Sequence, residues 1–136
     1  MKDKLKRRVA RLVAASMGAA GLALIPTAAH ATPFYCHDPD REGNYCAKVT
    51  AIDAGSYLAI HHAANYSSGT DPGVKLHNGA VLHLGCWTTG SGDADGNGDT
   101  YWFRVDYSDS AQVGYVNDWY LTTGSPSQWK PYVGHC

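Results

Sequence analysis

Sustained helical periodicity is missing from this chain, and Gly and Asn clusters interrupt every apolar pattern that begins. That absence excludes a helical bundle and leaves an all-β chain of short strands. No second apolar stretch follows Leu12 to Ala29, so no membrane-spanning helix is expected downstream of it. No internal repeat is visible, and residues 32–136 suffice for one small domain. Basic residues are scarce beyond Ala31, where only Arg41, Lys48, Lys75, Arg104 and Lys130 stand against eleven acidic residues, a net charge of −6 with histidines neutral. Nucleic acid and anionic lipid are gripped mainly by Lys and Arg, so such a surface disfavours both as partners. It also counts against a purely electrostatic hold on anionic wall polymers. Absent too are an H-E-x-x-H helix, a nucleophile elbow and a Cys–His pair in an apt setting. No catalytic activity and no cofactor are therefore expected.

What is present begins with a leader. Lys2, Lys4, Lys6, Arg7, Arg8 and Arg11 form a basic n-region, Leu12 to Ala29 is mostly apolar, and Ala29-His30-Ala31 is an A-x-A cleavage site. A transmembrane anchor is the competing reading, but Gly18, Gly21 and Pro26 interrupt the apolar run. Arg7-Arg8 hints at a twin-arginine signal, yet Ala10 and Arg11 stand where that motif wants an apolar residue. Residues 1–31 thus read as a signal peptide of a secreted, bacterial protein that is free of the membrane after cleavage.

All four cysteines, Cys36, Cys46, Cys86 and Cys136, lie beyond the leader. Export favours oxidised cysteine, and small exported domains gain stability from cross-links. Four cysteines allow three connectivities. The pairing expected is Cys36–Cys46, closing a local loop, with Cys86–Cys136 fastening the chain's tail onto its middle. Zinc is the rival, because Cys36-His37 and His135-Cys136 are adjacent pairs, but their spacing matches no common zinc pattern.

The stretch from Tyr101 to Leu121 carries the strongest strand signal. Tyr101, Phe103, Val105 and Tyr107 share one parity and Trp102, Arg104 and Asp106 the other, so one set can fill a core while the other lines a surface. Ser108 to Ser110 reads as a turn and Gln112 to Val116 as a return strand, with Gly114 where backbone can approach closely. Asn117 and Asp118 end that strand before Trp119-Tyr120-Leu121.

This pattern resembles the bacterial SH3-like domain, in which a W-Y-K-V strand is followed by G-Y-V and a terminal Y-L. Upstream, Val49 to Ile52 suits a first strand, Tyr57 to Ala63 sits where the family reads L-N-V-R-S-G, and Val74 to Leu82 matches its V-I-G-x-L-x-x-G-x-x-V segment. His61 and Ala63 fall where that family has arginine and glycine. The resemblance implies an SH3-like β-barrel over residues 48–123, with an N-terminal extension (32–47) and a C-terminal tail (124–136) held by the disulfides. It also implies a ligand groove with Trp102 as groove tryptophan and Tyr120 as hook tyrosine. Asn117 stands where eukaryotic SH3 domains carry a groove proline, and Trp119 and Tyr57 supply further walls. Parity turns Trp102 away from Phe103 and Val105, so partial exposure is expected.

Two other features invite metal. Asp93, Asp95 and Asn97, followed by Gly98, match positions 1, 3, 5 and 6 of a calcium loop, but Arg104 stands where the closing glutamate belongs. Acidic and Gly residues suit a solvated hairpin loop for conformational reasons alone. His61 and His62 point to opposite strand faces, while His77 and His83 flank an Asn78-Gly79 turn; surface imidazoles are the plainer account.

The expected function is a secreted, monomeric, non-catalytic binding module that takes a peptidoglycan or peptide ligand on its aromatic groove, since planar side chains give large contact area at low entropy cost. The alternative is a secreted inhibitor or effector whose loops, above all Gly90 to Thr100, engage another extracellular protein. Fold alone does not choose between them.

Overall fold

A computed structural model describes residues 31–91, 96–107 and 112–136. Residues 1–30 of the expected signal peptide, the calcium candidates Asp93 and Asp95, and the expected turn at Ser108 to Ser110 lie outside the described residues. Five strands form one antiparallel sheet in sequence order: β1 (Phe34–Tyr35), β2 (Tyr45–Lys48), β3 (Val81–Thr89), β4 (Tyr101–Tyr107) and β5 (Gln112–Asn117). A 3-10 turn, Asp118–Tyr120, follows β5, and a one-turn helix α1, Pro126–Trp129, lies in the tail.

The β4–β5 pair is the hairpin that alternation foretold, with Phe103 opposite Val116 and Val105 opposite Gly114. On the other side β4 pairs with β3, where a register shift between Leu84 and Cys86 marks a bulge. Leu84 pairs with Val105 before it and Trp87 with Phe103 after it. The extra residue, Gly85, thus lets side chains of opposite parity reach the same core. That core joins Leu82, Leu84, Phe103, Val105 and Val116 to Leu58, Ile60, Val74 and Leu76 from the β2–β3 connection and to Trp129 and Val133 from the tail.

Four expectations need correction. The five strands do not close into a barrel; β1 and β5 are the sheet's edges, and closure is limited to isolated bridges, Val49 with Leu121 and His61 with Tyr115. Residues 32–47 are not an appendage, because they carry β1 and most of β2, with Cys46 and Ala47 fully buried. Nor is the tail peripheral, since Trp129 has no exposed surface and contacts Phe103 edge-on at 4.9 Å between ring centres. A proposed first strand at Val49–Ile52 reduces to the single bridge at Val49.

Both disulfides have the expected pairing, Cys36–Cys46 and Cys86–Cys136. The second ties the tail to β3, and bonds from Trp87 N–H to the Gly134 carbonyl (2.9 Å) and from Cys136 N–H to the Trp87 carbonyl (2.8 Å) continue the attachment. Two disulfides fit an oxidising compartment. Among the described residues no helix is long and apolar enough to cross a membrane.

Candidate functional site

The residues from Val49 to Ala80 join β2 to β3 with no strand of their own, so their backbone groups pair one bridge at a time. Leu58 and Leu76 exchange bonds of 2.8 and 3.0 Å, and His61 and Tyr115 exchange bonds of 2.9 and 2.7 Å. The second exchange needs Gly114, where a Cβ would lie 2.3 Å from Ile60 Cγ2 and 2.6 Å from the His61 carbonyl oxygen. Asn78 braces the start of the connection, accepting from Ile52 N–H at 2.9 Å and donating to its carbonyl at 2.8 Å. Beside this clamp Ala51 adopts φ 58°, a left-handed conformation that costs a non-Gly residue about 1 kcal/mol or more.

Between this connection and the 3-10 turn runs an open groove of about 570 Å³. Tyr57, Tyr66, Trp119 and Tyr120 wall it, with His61 and Asp53 as its ionisable side chains. Trp119 and Tyr57 are each 50 % exposed, so both offer aromatic surface to a ligand. Asn117 sets the turn that presents Trp119: its Oδ1 accepts Trp119 N–H at 3.1 Å and its Nδ2 donates to the Asp99 carbonyl at 2.9 Å. At 1 % exposure Asn117 is a brace and not a wall. Lys75 Nζ stands 5.0 Å from the Tyr57 ring centre, a cation–π contact that steadies the far wall.

Trp102 is the main departure from expectation, with no exposed surface at all. Alternation correctly turns it away from Phe103 and Val105, but β4 is covered on both faces. The connection supplies the second cover: His61 meets Trp102 edge-on at 5.5 Å and Tyr66 at 4.8 Å between ring centres. Gly90 completes the seal, since a Cβ there would lie 2.7 Å from the indole and 1.9 Å from the Ala64 carbonyl oxygen. Trp102 thus backs the groove from behind His61 and Tyr66 and touches no ligand placed in it.

Burial holds His61 below its ordinary pKa, aided by neighbouring His62 and opposed by a hydrogen bond with the Ser68 backbone. The imidazole is therefore neutral at pH 7, and the groove carries no basic side chain among its walls. Tyr66 and His61 were not singled out as site residues by sequence. They reach the groove only through the folding of a strandless connection, which leaves no local periodicity to read.

On the far side of Trp119 a second hollow of about 440 Å³ is bounded by Asp99, Tyr101 and Asp118. Asp118 is buried; its Oδ2 accepts the Trp129 indole N–H at 3.1 Å and its Oδ1 accepts the Thr123 hydroxyl. Desolvation raises its pKa from 3.8 to about 7, with the Thr123 and Trp129 bonds working against the rise and Asp99 adding to it.

Of the calcium candidates only Asn97 is described, and it serves a turn: its Oδ1 accepts Asp99 N–H at 2.8 Å, as Asp99 Oδ1 accepts Tyr101 N–H at 2.8 Å. His83 Nδ1 lies 3.7 Å from Cys36 Sγ, and with Cys46 these ligand atoms fall within 4.8 Å of one another. Both sulfurs are committed to the Cys36–Cys46 bond, so they are not thiolate ligands. No family model, curated protein or solved structure matches this chain.

Proposed function

We propose that the chain is a secreted, non-catalytic binding module of SH3-like kind, which takes a cell-wall peptidoglycan strand or peptide in the groove between Tyr57 and Trp119. The observation that carries this reading is the convergence of Tyr57, Tyr66, Trp119 and Tyr120 on one open groove. Half-exposed aromatic faces recognise sugar rings and peptide backbone by area and not by charge, which suits walls without Lys or Arg. A 3-10 turn after β5, with Leu121 bridged back to Val49, supports the SH3-like assignment. The signal segment and the two disulfides support action outside the cell.

Sedimentation of the protein with purified peptidoglycan tests the reading, with Trp119→Ala as the informative variant. Truncating a central aromatic anchor costs about 2 kcal/mol, roughly thirty-fold in affinity. Trp119 is half-exposed, so near-UV circular dichroism should show the variant folded. Wild-type retention lost in the variant supports the groove. Equal retention of both places the ligand elsewhere. If neither is retained by the wall but the wild type captures one extracellular protein from culture supernatant, the inhibitor reading replaces it.

A further inference from the structure

A different cluster, none of whose members lines the groove, holds a cation. Trp87 on β3, Tyr101 at the start of β4 and Trp129 on α1 stand mutually edge-to-face, at 5.8 Å and 71° (Trp87–Tyr101), 5.4 Å and 64° (Trp87–Trp129), and 5.3 Å and 76° (Tyr101–Trp129). Three rings so arranged form the corner of a box. Lys130 fills it: its Nζ lies 4.7 Å from the Trp87 ring centre, 4.9 Å from that of Tyr101 and 5.6 Å from that of Trp129. We propose that this box is a binding site for quaternary ammonium groups on small solutes, and that Lys130 is its built-in competitor.

Chemistry favours a methylated cation over the occupant it has. A primary ammonium brings three N–H donors, and among the described residues Lys130 Nζ makes one hydrogen bond, a long one of 3.4 Å to the Tyr101 hydroxyl. No carboxylate of the described residues forms an ion pair with Lys130. A trimethylammonium group needs no acceptor and is held by ring faces alone. The back wall is fixed in place: the Trp129 indole N–H donates to Asp118 Oδ2, 3.1 Å away, which holds the ring that faces the cation. Access exists as well, for Lys130 is exposed and Trp87 and Tyr101 are half-buried, whereas Trp129 forms the closed floor. An intramolecular occupant acts at an effective concentration in the millimolar range, so it weakens an external ligand without abolishing binding.

The test is titration of the disulfide-bonded protein with tetramethylammonium chloride against sodium chloride at matched ionic strength, read at the indole N–H cross-peaks in heteronuclear NMR. For Lys130→Ala the Trp129 and Trp87 cross-peaks should shift saturably, with a dissociation constant at least about tenfold below that of the wild type. Methylammonium should bind the variant more weakly than tetramethylammonium, and Trp87→Leu in the Lys130→Ala background should remove the response. Lys130→Gln serves if the alanine variant does not fold. A folded variant without saturable shifts beyond sodium, or one that prefers methylammonium, overturns the proposal and leaves Lys130 as a structural clamp.

Discussion

Replacing Asp118 by asparagine should reshape the protein's stability across the pH scale. The folded pKa of about 7, against 3.8 for the free side chain, means that burial holds the carboxyl protonated through a range where the unfolded chain has released its proton. Below pH 3.8 the group is neutral in both states and burial has no ionic cost. As pH rises through that value the unfolded chain gains by ionising, stability falls, and the loss is complete only above about pH 7. One pKa unit corresponds to about 1.4 kcal/mol, so the whole penalty is on the order of 4 kcal/mol. Asparagine keeps an oxygen for the Trp129 indole N–H, and the Thr123 hydroxyl can turn to accept from its amide. Urea unfolding of both proteins at pH 3.5, 5, 6.5 and 8 gives the difference in stability at each pH, in which the titration of every unchanged group, His61 included, cancels. The difference should move in favour of Asp118→Asn by about 1.4 kcal/mol per unit between pH 4 and 7 and be flat above pH 8. A difference that does not vary with pH would refute the buried-carboxyl account, and one of opposite slope would show Asp118 ionised and stabilising in the fold.

Two further outcomes are expected from the packing. Trp102→Ala should cost about 3–5 kcal/mol, the usual penalty for deleting a buried Trp side chain, and lower the melting temperature by more than about 10 °C; a melting temperature within about 2 °C of wild type would return Trp102 to the surface. The two disulfides close loops of different size, with sequence separations of 10 and 50 residues, so chain entropy assigns about 3 kcal/mol to Cys36–Cys46 and about 4 kcal/mol to Cys86–Cys136. Paired Cys→Ser variants compared by urea unfolding should keep that order, and a reversal would show that local packing around Cys46 outweighs loop length.

The hairpin from Tyr101 to Asn117 was legible because alternation and a glycine declare a strand pair locally. Both disulfides followed from asking which loop each would close. Trp102 was misread because parity says which way a side chain points and not whether something lies over it; the cover comes from His61 and Tyr66, some forty residues upstream along the chain. Trp129 was assigned to the tail and not to the core for a related reason, since Pro and Gly punctuate that segment and its packing partners, Phe103 among them, lie far off along the chain. β1 is two residues long, too short for any period to show. Of the residues lining the groove, Trp119, Tyr120 and Tyr57 were named from the sequence, whereas Tyr66 was not, because only backbone bridges scattered through residues 49–80 bring it there.

The shortness of β1 has a consequence for how molecules of this protein behave in company. An edge strand bearing Phe34 and Tyr35 on its surface offers unpaired backbone and aromatic area to any neighbouring chain. Here the offer is limited on two counts: the edge is only two residues long, and the Cys36–Cys46 bond tethers it to β2 immediately after its last residue. The strand therefore has no freedom to peel off and exchange with a second molecule. Beyond its share of folding stability, the smaller disulfide thus opposes the exchange of this edge between two molecules.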